Sequence, residues 1–328
     1  MTERRRPAVS AALSGLTLAA LVVLVFALPR ALPGDPLAAL DDPASGVAIT
    51  DPDLRERVLA HYGLDRPLPE QFAGYVGGLA TGDLGWSISR NAPVSGLVAA
   101  HLPWTLLLMG PALALSTAAS YVLGILAAWH RGRTGDRVAL VGLTALRAIP
   151  EYVLATLLLI AFAVLLPVLP VGGARTPFAE HGSGLAALAD VGAHLVLPLA
   201  TLTLSLTATL FLLQRHTVVG VLGADHMLLA EAKGLPLRRR QFVHAGRSAL
   251  LPLLTAVGLQ VAFAAQGAVF VEAVFAYPGM GSLLLDAVAA RDYPVLEGVF
   301  LVLALVVLAV NLLVDLAARW VDPRSAVS

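Results

Sequence analysis

The ionisable residues nearest the middle of an apolar segment in this chain are Arg147 and Glu151, one helical turn apart around Pro150. A guanidinium and a carboxylate at this spacing have two uses in a membrane setting. They pair along one helix face or snorkel to an interface, or they face a polar cavity as separate charges. Proline removes a helix hydrogen bond, so a kink or an interruption is expected at Pro150. A charge inside a bilayer costs roughly 2.5 to 3.5 kcal/mol on insertion scales, which favours a paired or cavity-facing location. Two depths are open. If the helix enters the membrane at Val138, Arg147 lies about nine residues, or roughly 14 Å, inside. If the span begins at Glu151, both residues sit at the inner surface. Asn311 and Asp315 repeat the spacing in the last apolar segment, where a structural role is expected.

Other chemistry is scarce. The chain has one lysine, Lys233, followed by Gly234 and Leu235. A P-loop needs lysine within G-x-x-x-x-G-K-[ST] to reach the β and γ phosphates, so this chain cannot form one. Eight histidines are scattered without an H-E-x-x-H or other paired ligand spacing, and no metal site is expected. His181-Gly-Ser-Gly184 lacks the G-x-S-x-G pattern of a strained nucleophile and reads as a loop. No cysteine occurs, so no disulfide holds any segment.

The elements that must position these residues follow from composition. Of 328 residues, 58% are hydrophobic and 13% charged, against about 25% charged in a soluble domain. Six uncharged runs are each long enough, or nearly so, to cross the roughly 30 Å of hydrocarbon as a helix. The expected spans are 9–28, 104–129, 138–166, 194–213, 249–271 and 295–318. Their apolar residues do not alternate with polar ones, which excludes a β-barrel. The fold class is therefore all-α and polytopic. Its expected divisions are 1–31 (tail and first span), 32–103 (a long outer loop), 104–318 (a five-helix core with a polar connection at 215–248), and 319–328 (tail).

The zero net charge hides a sorting. Segments on the N-terminal side of the membrane carry fourteen Arg and Lys against five acids, whereas 32–103 carries nine acids and four arginines. The positive-inside rule then places both termini in the cytoplasm. The first apolar run exceeds the usual 7 to 15 residues of a signal h-region, so it is read as a retained span.

The outer loop offers a turn at Pro33-Gly-Asp-Pro36, a short helix from Asp51 to His61, a break at Gly63-Leu-Asp-Arg-Pro-Leu-Pro69, a helix from Glu70 to Leu79, and a turn at Gly82-Asp-Leu-Gly85. The 215–248 connection is basic within an apolar chain. Asp225 is expected to cap a helix through Met227, Ala230, Glu231, Ala232 and Lys233, and Gly234 to end it as the C′ residue. Pro236 cannot continue that helix, and a second basic helix from Leu237 leads into the fifth span. Physics alone leaves open a solvated basic loop or a compact knob that a soluble partner grips.

Here the residues carry a resemblance. Asp225-His-Met-Leu-Leu-Ala-Glu-Ala-Lys-Gly-Leu235, with His244-Ala245 and Ala249-Leu-Leu-Pro252, resembles the "EAA" coupling loop of ATP-binding-cassette importer permeases, more narrowly the dipeptide/oligopeptide/nickel family. The turn motifs above, together with Val271-Glu-Ala-Val-Phe275, Pro278-Gly-Met-Gly281, Arg291-Asp-Tyr-Pro294 and Asn311-Leu-Leu-Val-Asp315, follow in family order across nearly the whole chain. Glu231 stands where many relatives have Arg, and Gly246-Arg247-Ser248 replaces the usual Leu-Arg-Asn. The resemblance implies a type I importer in a bacterial inner membrane. This chain would be a permease subunit beside a second permease, two ATPase subunits and an extracytoplasmic solute-binding protein, with no nucleic-acid partner. It would hold no cofactor, ATP and Mg residing in the ATPases. Ala230, Glu231, Ala232, Lys233, Gly234 and Leu235 would form the ATPase contact. Arg147 and Glu151 depart from the family, whose members commonly have small hydroxyl residues near this proline; on their own chemistry Arg147, Pro150 and Glu151 are expected either to line the path, meeting the ends of a zwitterionic peptide, or to serve as a structural or interfacial pair. Nickel or another small solute is the alternative cargo. An ion-coupled carrier would show midplane acids or repeated halves, and a membrane hydrolase a nucleophile and base; neither pattern is evident.

Overall fold

The computed structural model describes residues 6–31 and 52–321. The turn expected at Pro33-Gly-Asp-Pro36 lies outside them. Apart from one two-residue hairpin the described chain is helical, and it divides into two compact units.

The first unit takes residues up to 102 together with 283–305. It contains α1 (Arg6–Ala31), α2 (Pro52–His61) and α3 (Leu68–Thr81), then β1 (Trp86–Ser87) paired antiparallel with β2 (Ala92–Pro93). Helix α3 starts with proline in its first turn and stops where Gly82 adopts φ +77°, a left-handed conformation that glycine takes without a Cβ penalty. Phe26 of α1 packs on Phe72 and Tyr75 of α3, with ring centroids 5.1 and 5.8 Å apart. Arg30, near the end of α1, lies over the Phe26 ring, donates to Gln71 Oε1 at 3.1 Å and pairs with the buried Glu297. A cavity of about 240 Å³ beside Arg30 is lined by parts of three of the sequence motifs: Gly63 to Arg66, Asp83 to Gly85, and Tyr293-Pro294.

The second unit takes 103–282 and the chain from 306. Its elements are most of α4 (Val94–Trp129), then α5 (Thr134–Arg147), α6 (Glu151–Leu159) with a π-helical continuation Ile160–Leu165, α7 (Gly184–Leu222), α8 (Asp225–Ala232), a π-helical segment Arg239–Ala245 running into α9 (Gly246–Val274), the start of α10 (Met280–Ala290) and the rest of α11 (Tyr293–Val321). Its core joins Leu108, Met109, Leu202, Leu206, Val261 and Val271. Small residues let the helices approach, as in other membrane bundles. A Cβ on Gly124 of α4 would lie 2.7 Å from Gln214 of α7, and one on Gly267 of α9 would lie 3.1 Å from Leu202.

Four helices among the described residues are long and apolar enough to cross a membrane: Val94–Trp129, Gly184–Leu222, Arg239–Val274 and Tyr293–Ala318. The chain is a multi-pass membrane protein. The expected span 138–166 is interrupted at the expected break, Pro150: α5 and the α6 segment are bent by 103° from one another. The cause is local. Ala148 and Ile149 donate to Ala145 and Leu146, closing the last turn tightly, and Val153 and Leu154 then donate to the carbonyl of Pro150 to start a new helix. Pro150 has no N–H with which to bridge the two.

Candidate functional site

Helix α8 is short because both ends are stopped. Ala224, in extended conformation, stands before it and offers no side-chain cap, so the expected cap is corrected: Asp225 is the first helical residue, where its carboxylate complements the helix dipole. At the other end Gly234 has φ +66°, its N–H donates to Glu231 O at 2.8 Å, and Leu235 N–H donates to Ala230 O at 3.3 Å. This is the paired closure expected of a glycine at C′. Pro236 then accepts from Arg239 and Arg240, opening the next helical segment.

The inner face of α8 is packed and the outer face is bare. Met227 is buried with Ile125 and Ala128 of α4, Val218 of α7, and Ala245 and Ala249 at the α9 entry, and Ala230 is buried as well. Leu228, Leu229, Glu231, Ala232, Lys233, Gly234 and Leu237 are exposed, and Leu235 is half-buried. Glu231 accepts from Arg240 Nη1 at 2.6 Å, and Arg240 lies 5.8 Å from the Trp129 ring. The knob is therefore a braced bump, with leucines and charges side by side on its open surface.

Two polar devices brace this unit, the first at the bump and the second between α5 and α7. The hydroxyl of Tyr121 in α4 donates to the carbonyl of Phe242 at 2.8 Å, inside the π-helical segment. A Cβ at Gly246 would collide with that same hydroxyl, so the glycine standing in the Gly246-Arg247-Ser248 stretch makes room for Tyr121. The second is a buried bidentate pair: Arg215 Nε and Nη2 donate to Asp136 Oδ1 and Oδ2 at 2.6 and 2.8 Å, and Gly132 N–H adds a third bond at 2.8 Å. The hydrogen bond from Arg215 holds the Asp136 carboxyl below its ordinary value, against burial, which pushes it up.

Arg147 and Glu151 are not paired. Arg147 is exposed, while the half-buried Glu151 accepts from Ser205 Oγ of α7 at 3.0 Å and packs beside Gly267 of α9. The ion pair along one helix face is excluded by the break between them. Helix α7 serves as a ruler: Asp136 attaches at Arg215 and Glu151 at Ser205, ten residues apart, or about 15 Å along the helix. Tyr152, next to Glu151, stacks against Phe270 with centroids 6.4 Å apart, and both rings are half-exposed.

Three polar residues of this architecture were not singled out from sequence. Glu272, wholly buried near the end of α9, accepts from Thr105 Oγ1 at 2.7 Å and from the N–H groups of Gly281 and Ser282 at 2.6 and 3.2 Å, capping α10. Asp292, also wholly buried, accepts from Ser87 Oγ, Ser89 N–H and Ser89 Oγ at 2.6, 2.9 and 2.7 Å, fixing the hairpin beside the start of α11. Gln266 stands exposed on α9. Glu272 and Asp292 lie inside the motifs Val271-Glu-Ala-Val-Phe275 and Arg291-Asp-Tyr-Pro294, and Gln266 is a lone polar residue in an apolar run; those were the available signals.

Residues 120–327 match the family model described as the binding-protein-dependent transport system inner membrane component. A protein of Brucella ovis named as a peptide permease is 38% identical over 320 residues, covering 95% of each chain. The dipeptide transport system permease protein of Escherichia coli is 34% identical over 325 residues, covering 94% of each. The oligopeptide transport system permease protein of Bacillus subtilis is 35% identical over 309 residues, covering 93% of each.

Proposed function

The chain belongs to the family of binding-protein-dependent transport system inner membrane components, and from that premise we propose that it is the permease subunit of an ATP-driven importer of di- and oligopeptides. The relatives' names as peptide permeases support the cargo. The observation that carries the mechanism is the α8 knob: a short helix seated on α4, α7 and α9, closed by a left-handed Gly234 and open on its leucine-bearing face. A soluble ATPase subunit docks there and its closure reaches the spanning helices through the Tyr121–Phe242 bond and the continuous passage into α9.

The complete transporter on this reading has this chain, a second homologous permease, two ATPases that bind ATP and Mg, and an extracytoplasmic solute-binding protein, in a bacterial inner membrane with both termini cytoplasmic. Hydrolysis belongs to the partners, because the single lysine lies outside any P-loop. The broken α5–α6 passage lines the path: Arg147 is exposed at the break, Glu151 lies across it, and their opposite charges suit the two ends of a zwitterionic peptide.

The test is Gly234→Pro in the reconstituted complex. Assembly is expected to persist while binding-protein-stimulated ATPase activity and peptide uptake are lost together. Full retention of both would sink the docking assignment. Running di- and oligopeptides against Ni²⁺ in the same vesicles decides the cargo.

A further inference from the structure

Helix α9 has a packed face and an open face. Leu253, Val257, Val261, Ala264, Ala268 and Val271 are buried. Thr255, Leu259, Phe263, Gln266 and Phe270 are exposed, at steps of three and four residues that keep them on one stripe. An α-helix exposed to lipid carries hydrocarbon there, as α11 does with Leu308, Leu312, Leu313 and Leu316. The α9 stripe carries such hydrocarbon at Leu259, Phe263 and Phe270 but interrupts it with Thr255 and Gln266. Gln266 lies eight residues before Val274, or about 12 Å inside the helix end. An amide facing lipid at that depth has no hydrogen-bond partner, so polar residues there normally face a cavity or the bundle interior.

We propose that this stripe, joined by Tyr152 of α6, is the wall over which substrate passes, and that the Gln266 amide contacts the main-chain amides of a short zwitterionic peptide. The inference rests on the peptide-import reading above and adds the residues that meet the cargo. A carboxamide offers a donor and an acceptor side by side, the complement of a peptide unit. Charges of both signs lie on the neighbouring α5–α6 passage: Glu151, half-buried against Gly267 on the packed face of α9, and Arg147, exposed before the Pro150 break. Phe270, one turn from Gln266, stacks on Tyr152 at 6.4 Å and gives an aromatic surface for side chains of varied shape. Such a surface reads the backbone common to all peptides and tolerates the residues that differ.

The absence of cysteine makes the test direct, since any thiol on this subunit is the one introduced. Gln266→Cys, Phe270→Cys and Leu312→Cys are placed singly in the assembled complex and labelled on this subunit with a charged, water-soluble thiosulfonate or a lipid-soluble maleimide. The first two are expected to react with the water-soluble reagent and to lose dipeptide uptake on modification; Leu312→Cys is expected to react with the maleimide alone. Reaction of Gln266→Cys with the maleimide only would put the stripe in lipid, and reaction with neither reagent would put it in a dry subunit contact; either overturns the proposal. Gln266→Leu is expected to lower peptide transported per ATP hydrolysed about tenfold, the worth of one hydrogen bond, with stimulated ATPase activity retained. Unchanged transport in that variant would remove the contact assigned to Gln266. Uptake by the unsubstituted complex is measured alongside: if it carries no peptide, the importer reading fails, whereas the labelling pattern judges the wall separately.

Discussion

Asp136 and Arg215 illustrate what one residue pair contributes. Both are buried and doubly bonded to each other, and removing one partner of such a pair leaves an uncompensated charge, costing about 3 to 5 kcal/mol. Asp136→Asn is therefore expected to lower the unfolding temperature of the detergent-solubilised protein markedly. The carboxyl is held below its ordinary value near 3.8, so its contribution is complete above that value and is lost as pH falls through the lower, folded-state value. The stability gap between the native protein and Asp136→Asn should thus be constant above about pH 5 and shrink in more acidic solution; a gap independent of pH would contradict the assignment. Glu272 is a second case. Glu272→Gln turns an acceptor of three hydrogen bonds into a group with two donors aimed at N–H neighbours, and a loss of about 1.5 to 3 kcal/mol is expected in thermal unfolding. Thr105→Val should show a smaller loss. Both residues were readable in the sequence as polar letters within apolar runs, but their partners were not. Thr105 and Gly281 are brought to Glu272 by tertiary packing, across separations that no local pattern encodes.

At the scale of elements, hydropathy located four of the expected spans among the described residues and missed the shape of another. The run 138–166 is apolar throughout except for Arg147 and Glu151, so its length reads as one crossing. Pro150 pointed to a break, yet the 103° bend also depends on α5 being tied down through Asp136 and α6 through Glu151, two attachments to α7 that lie far apart in sequence. The α8 knob was more legible, because glycine at C′ followed by proline is a local signal; only its first residue shifted, Asp225 falling inside the helix. The π-helical entry to α9 left no sequence mark, although a glycine at 246 in place of a larger side chain now has a reason in Tyr121. Gly246→Val is expected to displace Tyr121, break its bond to Phe242, and reduce binding-protein-stimulated ATPase activity. Tyr121→Phe removes the same hydrogen bond, worth about 1 kcal/mol, without the collision, and should lower that activity to a lesser degree. If Gly246→Val were fully coupled, the tyrosine link would not carry the signal.

For the whole molecule, the proposed orientation divides the zero net charge into a basic inner side and an acidic outer side, and one reagent tests that orientation. Lys233 is the only lysine, and it is exposed on the knob. A membrane-impermeant amine reagent is expected to modify it in inverted vesicles and not in right-side-out ones, with protection when the ATPase subunits are bound; labelling from the outer side would reverse the proposed orientation. The segment from Arg239 to Val274 runs 36 residues without interruption, about 54 Å of rod. A rod of that length is a lever: a tilt of about 5° at the knob carries the far end sideways by roughly 5 Å, close to the pitch of one helical turn. The far end holds Phe270 and Glu272, and Glu272 is bonded to Thr105, Gly281 and Ser282, so a tilt begun at the knob reaches the wall only by carrying the neighbouring ends of α4 and α10 along with α9.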